Sequence, residues 1–444
     1  GTVIISAAAH CTDVQKVVEP VLKRSGGNIY YINFSGAHFE LGGSAFAQVL
    51  NKIGDKAPTV TDAEGFKTAF NVVQSLIKEG KIQAGHDIGS GGLITTLLEM
   101  CFAENDLGAT IDLSGLSADE DLIKPLFAEN AGVVIQADSS VEATLEENFL
   151  EWANIGEVTT SQELTIHHFG RDYHLNIPEL RDVWYLTSYL LDKQQTQNDK
   201  ATERYQNYSE QPLQYTFPAH FTGEKPARPT GKRPIAAVIR EKGSNSEREM
   251  ANALYLAGFD VKDVHTTDLI SGRETLEDVQ FIGAVGGFSN SDVLGSAKGW
   301  AGALLYNEQA KKALDNFFAR PDTLSVGICN GCQLFMELEV INPEHAEHGK
   351  MWHNDSGKHE SGFVSVTIPE NNSVMLSTLA GSTLGVWISH GEGKFHLPLA
   401  EADYNIVGKY AYQEYPANPN GSDYNTAMLC DKTGRHLVTM PHIE

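Results

Sequence analysis

From residue 235 onward the chain repeats one pattern: a short apolar strand runs straight into a glycine-bearing turn, and a helical stretch separates it from the next strand. "IAAVIR" (235–240), "FIGAVGGF" (281–288) and "LSVGIC" (324–329) are the strands. They show no polar alternation, which is the mark of strands buried on both faces of a mostly parallel sheet with helices over it. The alternation of strands and helices predicts a doubly wound α/β domain over 231–444. In such sheets, sites form beyond the carboxyl ends of the strands, where "GGF" and "ICNGC" fall. Between them, "SNSEREMANALYLAGF" predicts a helix with Ser246 and Glu249 as a capping box and Gly258 as its stop.

The first 165 residues mix strand-like and helix-like stretches and predict a separate α+β domain. "TVIISAAA" and "NIYYINFS" have the β-branched and aromatic content of strands. "TDVQKVVEPVLKR" reads as a helix capped by Asp13. "TDAEGFKTAFNVVQSLIKEG" reads as a longer one, with Phe66, Phe70, Val73 and Ile77 on its apolar stripe and Gly80 as its stop. Residues 166–230 hold one helix, "ELRDVWYLTSYLLDK", and then polar and Pro/Gly-rich sequence, and predict a connector. A chain of 444 residues exceeds one ordinary hydrophobic core, in keeping with this division.

A net charge of −25 argues against nucleic acid as a partner, because phosphate neutralisation needs basic surface. No apolar run reaches the ~20 residues of a membrane span, and no signal peptide is visible at the start. Five scattered cysteines (11, 101, 329, 332 and 430) fit a reducing compartment, so the expectation is a soluble, cytoplasmic protein.

"SVGICNGCQLF" (325–335) carries the chemistry. Cys329 and Cys332 have the spacing of a redox dithiol or of half a zinc site. No second C-x-x-C and no paired histidines at finger spacing supply the other two zinc ligands. The glycines at 327 and 331 are explained by a nucleophile elbow, a turn so tight that the neighbours of Cys329 carry no bulk. A dithiol and an inert buried cysteine remain as alternatives. A cysteine nucleophile needs a base, a group to orient that base, and donors for the oxyanion. Two H-x-E pairs offer the base: His442 with Glu444 in "MPHIE", and His390 with Glu392 in "SHGEGKF". The candidate oxyanion donors are the main-chain N–H groups of Gly287, Phe288 and Asn330. In the first domain, "GHDIGSGGL" (85–93) is a glycine-rich turn opening a helix, where free N–H groups suit phosphate and Asp87 suits Mg2+.

"GGFSNSDVLGSAKGWA", "GICNGCQL", "SHGEGKF", "YPANPNGS" and "MPHIE" follow one another as in the glutaminase domain of the large, single-chain phosphoribosylformylglycinamidine synthase family. Upstream, "TVIISAAAHCTDV", "ELGGSAFAQVLN" and "GHDIGSGGLITTLLEMCFA" resemble the last part of that family's synthetase region. The resemblance implies a class I glutamine amidotransferase domain over 231–444. It also implies a domain over 1–165 like the C-terminal domain of aminoimidazole ribonucleotide synthetase. It places the triad at Cys329, His442 and Glu444, puts His390 in a loop with a positioning or gating part, and gives Gln333 and the 350s loop contacts to the substrate. Asp87 then takes the metal position and Gly89 lies in the nucleotide loop. The implied ligands are L-glutamine, formylglycinamide ribonucleotide, ATP or ADP and Mg2+, and the partner is the remaining N-terminal synthetase region. The chain departs from the family at Ile88, Gly89 and Ser90, and at Asn290 and Ser291, where Tyr and Gly are usual. The resemblance further implies a C-terminal portion cut short after Glu444, with weak or no glutaminase activity by itself. A stand-alone γ-glutamyl cysteine hydrolase and a catalytically silent interaction fragment are the alternatives.

Overall fold

A computed structural model describes residues 4–104, 106–116, 121–224 and 231–444. They form two compact units, Gly1–Thr187 and Ser188–Glu444.

The first unit is built on seven strands: β1 (Asn28–Asn33), β2 (Ile82–Asp87), β3 (Gly108–Asp112), β4 (Gly132–Ala137), β5 (Glu151–Thr159), β6 (Glu163–His168) and β7 (Arg171–Asn176). Their order is β2-β4-β1-β5-β3-β6-β7. Every pairing is antiparallel except β3 with β6. Successive strand residues face opposite sides, and β1 shows the consequence. Ile29 and Tyr31 join one core with Leu93, Leu97 and Met100 of the helix Gly92–Phe102. Tyr30 and Ile32 join the other with Val72, Val73 and Leu76 of the helix Ala63–Lys78. Asp62 caps the latter helix by accepting from the N–H groups of Glu64 and Gly65. Gly80, at φ +70°, ends it as the sequence suggests.

Three local expectations fail in this unit. Ile4 and Ile5 of the supposed first strand are 85% and 87% exposed and belong to no strand. The supposed helix at 12–24 is a series of turns, in which Asp13 accepts from the N–H of Gln15. Pro20 lacks an N–H and biases Glu19 away from helix, so the valine spacing there has no helix to serve. On Ala63–Lys78 the buried face is Ala69, Val72, Val73 and Leu76, rotated from the expected stripe, and Phe70 is 48% exposed.

The second unit holds a nine-stranded mixed sheet. Its strands are β8 (Ile235–Arg240), β9 (Asp260–His265), β10 (Phe281–Ala284), β11 (Leu324–Ile328), β13 (Glu360–Thr367), β14 (Thr383–His390), β16 (Asn405–Tyr410), β17 (Thr426–Cys430) and β18 (His436–Thr439); β12 (Lys350–Trp352) and β15 (Lys394–His396) pair apart from it. The run β9-β8-β10-β11-β18 is parallel, and β17, β16, β13 and β14 continue it antiparallel. The helices Glu247–Ala257, Lys298–Leu305, Glu308–Ala319 and Asn330–Glu337 complete a doubly wound α/β fold. Gly258 closes its helix at φ +107°. Ser246 does not open it as a capping box, because its backbone is left-handed and its side chain caps nothing. The polar stretch after residue 192 folds onto this unit. Arg204, on the helix Lys200–Asn207, pairs with Glu360 and Asp192, and Thr216 bridges to Thr383. No helix among the described residues is long and apolar enough to cross a membrane.

Candidate active site

The parallel register brings three chain segments to one edge of the sheet. Ala284 pairs with Gly327, and Ile328 pairs with Thr439, so "GGF", Cys329 and the last residues of the chain emerge side by side. The Cys329 N–H donates to the Thr439 carbonyl at 2.8 Å. Its backbone then turns at φ 51° and ψ −106° directly into the helix Asn330–Glu337. Such a conformation is strained for a residue with a Cβ and persists only where its surroundings impose it. The glycines show how. A Cβ on Gly327 would lie 2.4 Å from the Gly331 carbonyl oxygen, and one on Gly331 would lie 2.1 Å from that of Ala284. The turn is therefore an elbow. Cys332, one helical turn on, is fully buried, unbonded to Cys329, and its thiol is held well above its usual pKa by burial.

Beside Cys329 stands His442. Its N–H donates to the Trp387 carbonyl, and its Nδ1 lies 2.8 Å from Glu444 Oε1. Hydrogen bonds with Cys329 and then with Glu444 outweigh burial and push its pKa up to about 10. Burial alone would raise Glu444, but the hydrogen bond and charge of His442 hold its carboxyl below the ordinary value. Gly286, the first residue of "GGF", is the floor of this arrangement. A Cβ there would stand 3.1 Å from His442 Cε1 and 3.5 Å from Cys329 Cβ.

The three expected oxyanion donors divide. The N–H of Phe288 donates to the Gly243 carbonyl at 2.9 Å and is not free, which removes it from the set. The N–H groups of Gly287 and Asn330 make no hydrogen bond among the described residues. Gly287 takes φ +108° pressed against Gly243–Asn245, a contact the local sequence does not reveal.

His390 is the last residue of β14, not part of a loop, and is 2% exposed. Neither ring nitrogen has a partner among the described residues. Burial pushes its pKa down to about 3, so the ring is neutral. Glu392 does not orient it: Glu392 Oε2 accepts from the N–H of Ser296, and Oε1 lies 4.0 Å from His353 Nδ1. The side chain of Gln333 is likewise engaged within the protein. Its Oε1 accepts from Asn330 Nδ2 at 2.9 Å, and its Nε2 donates to the Glu392 carbonyl at 2.8 Å. In the 350s loop, Asn354 donates to the His390 and Lys358 carbonyls and accepts from the N–H of Gly393.

In the glycine-rich turn of the first unit one N–H already has a partner within the protein. The Gly91 N–H, offered by the sequence to a phosphate, donates to Glu129 Oε1 at 2.9 Å. The Ala45 N–H donates to the same oxygen at 2.7 Å. Gly89 accepts from the N–H of Gly92 and has open space where a Cβ would sit. Asp87 is exposed, with His86 Nδ1 3.4 Å from its carboxylate. Among the described residues no three His, Cys, Asp or Glu side chains converge on one point.

Residues 233–444 match the CobB/CobQ-like glutamine amidotransferase domain, and residues 32–169 match the AIR synthase related protein, C-terminal domain. The whole chain is similar to the probable phosphoribosylformylglycinamidine synthase, chloroplastic/mitochondrial, of Arabidopsis thaliana, at 38% identity over 33% of that protein. It is also similar to the phosphoribosylformylglycinamidine synthase of Homo sapiens, at 36% identity over 36% of that protein. Among solved structures, PurLQS from Thermotoga maritima aligns with 48% of this chain and 88% of its own at 25% identity, with a TM-score of 0.38. The chain thus spans about a third of the length of the curated relatives it matches. These two domain matches lie within a likeness to phosphoribosylformylglycinamidine synthases that runs the whole length of the chain.

Proposed function

We propose that the second unit is a glutaminase that supplies ammonia to a purine-forming ligase. The observation that carries this reading is Cys329 on its elbow, with the His442–Glu444 pair and the free Gly287 and Asn330 amides around it. The Cys329 thiol gives its proton to His442 as the sulfur attacks the γ-carboxamide carbon of glutamine, and the two amides receive the oxyanion. His442 gives its proton to the departing nitrogen as the C–N bond breaks, while Glu444 fixes the imidazole. A γ-glutamyl thioester remains. Water, deprotonated by the same imidazole, hydrolyses it to glutamate. The ammonia then serves the synthetase activity of the longer protein. There ATP phosphorylates the amide oxygen of formylglycinamide ribonucleotide, and ammonia displaces phosphate to give the amidine.

A γ-glutamyl chloroketone tests the glutaminase step. Intact-mass and peptide mapping should place one adduct on Cys329, L-glutamine should protect it, and His442→Ala should slow it by about 10²–10⁴-fold. Labelling on Cys332, or labelling that glutamine does not slow, would overturn the reading.

A further inference from the structure

The two free amides come from different loops, and one side chain spans the gap between them. Asn330 is fully buried. Its Oδ1 accepts from the N–H of Ser289 at 3.2 Å, two residues beyond Gly287. Its Nδ2 donates to Gln333 Oε1, and Gln333 passes the connection to the Glu392 carbonyl. Glu392 Oε2 in turn accepts from the N–H of Ser296, on the loop where the path began. The contacts close a ring: the loop after "GGF", the elbow helix and the "HGEG" loop are each tied to the next.

The ring matters because the loop after Gly287 carries backbone strain, and its own bonds, such as Asn290 N–H to the Lys242 carbonyl, do not reach the elbow helix. Asn290, Ser291 and Asp292 take φ of 55°, 56° and 50°, left-handed positions that are unfavourable for residues other than glycine. Gly287 has no side chain to anchor it. Its peptide is tied to the 243–245 segment, where the Gly286 carbonyl accepts from Asn245 N–H and the Phe288 N–H donates to Gly243, and the Ser289 N–H bond to Asn330 ties the loop to the elbow helix. Removing the bond to Asn330 frees the loop to shift against the elbow helix, and donors displaced by about 1 Å lose about 10²-fold in rate.

We propose that Asn330 is a positioning residue: its side chain sets the separation between the Gly287 amide and its own amide, and so holds the oxyanion hole together. Gln333 extends the same ring and acts through Asn330. This inference rests on the glutaminase reading, and one pair of probes tells the two apart. Attack on γ-glutamyl p-nitroanilide builds an oxyanion at a carbonyl carbon. Alkylation by iodoacetamide displaces iodide at a saturated carbon and needs no such hole. The pre-steady-state release of nitroaniline and the rate of iodoacetamide alkylation of Cys329 are measured on the chain and on Asn330→Leu and Asn330→Asp. Asn330→Asp keeps the acceptor for Ser289 but faces Gln333 Oε1 with a carboxylate. Nitroaniline release should fall about 10²-fold in Asn330→Leu and less in Asn330→Asp. The alkylation rate and its pH profile should stay within about twofold in both. In a cycle with Gln333→Met, the double variant should lose no more than Asn330→Leu alone. Equal loss with both probes would make Asn330 a support of the elbow itself and overturn the proposal, as would no loss with either. A parent chain that alkylates at Cys329 but releases no nitroaniline would overturn the glutaminase reading, and this inference with it.

Discussion

Three histidines of the second unit are shifted, one up and two down, and stability should register both directions. His442 is raised to about 10 by its hydrogen bonds with Cys329 and Glu444. A base whose folded pKa exceeds its ordinary value of 6.5 stabilises fully below 6.5, and that contribution is lost as pH rises through about 10. His390 and His436 are lowered by burial to about 3 and about 4. Their contribution is present above 6.5 and is lost as pH falls toward those values. Each group changes stability by at most about 1.4 kcal/mol per pH unit over its window. Urea unfolding from pH 4 to 10 should therefore give a maximum near neutrality. His390→Gln should flatten the acid limb by up to one proton and leave the alkaline limb alone, whereas His442→Gln should do the reverse. An acid limb unchanged in His390→Gln would mean that this ring is not buried in its neutral form.

At the scale of elements, glycines with the same motif status carry very different constraints. A methyl on Gly331 would meet the Ala284 carbonyl oxygen at 2.1 Å, where only backbone can yield, whereas one on Gly89 would meet nothing within 4 Å. Gly331→Ala should lower stability by about 1–3 kcal/mol and disturb the elbow. Gly89→Ala should stay within about 0.5 kcal/mol. Urea midpoints of the two variants measure the contrast, and equal midpoints would deny the elbow its steric basis. The same comparison shows what the sequence could reveal. Spacing made the turn at Cys329 legible, because a tight strand-to-helix junction excludes side chains directly from positions 327 and 331. The meeting of His442 with Glu444 was legible as an i, i+2 pair leaving a strand. What escaped depends on residues far along the chain. The N–H of Phe288 is taken by Gly243, 45 positions earlier, and that of Gly91 by Glu129, 38 positions later. No window around "GGF" or "GSGG" contains those acceptors. Residues 12–24 misled for another reason: Val14, Val17, Val18 and Val21 have helical spacing, but Pro20 interrupts the backbone and Val14 and Val17 remain exposed. The helix Ala63–Lys78 was found and its stripe misplaced, since several apolar residues compete for the buried face and the sheet beneath decides among them.

At the scale of the molecule, the long apolar strands and the mixed N-terminal stretch serve separate cores. In the first unit, Leu97 is 1% exposed and packs with Ile29, Tyr31 and Met100. In the second, Ile328 and Val438 flank the elbow within a cluster confined to residues 236–440. Units with their own cores unfold as separate cooperative transitions unless coupling between them rivals their individual stabilities. Calorimetry should then resolve two transitions that perturbation can assign. Leu97→Ala leaves a buried void and should destabilise the first unit alone, by about 2–5 kcal/mol. Covalent occupation of Cys329 by a γ-glutamyl chloroketone should raise the second transition alone, because the bound glutamyl group gains its contacts only in the folded site. If both perturbations move one shared transition, the chain unfolds as a single cooperative block. Packing changes in the first unit would then reach the elbow through global stability, and a variant such as Leu97→Ala would lower labelling of Cys329 near the melting temperature without altering the chemistry of the site.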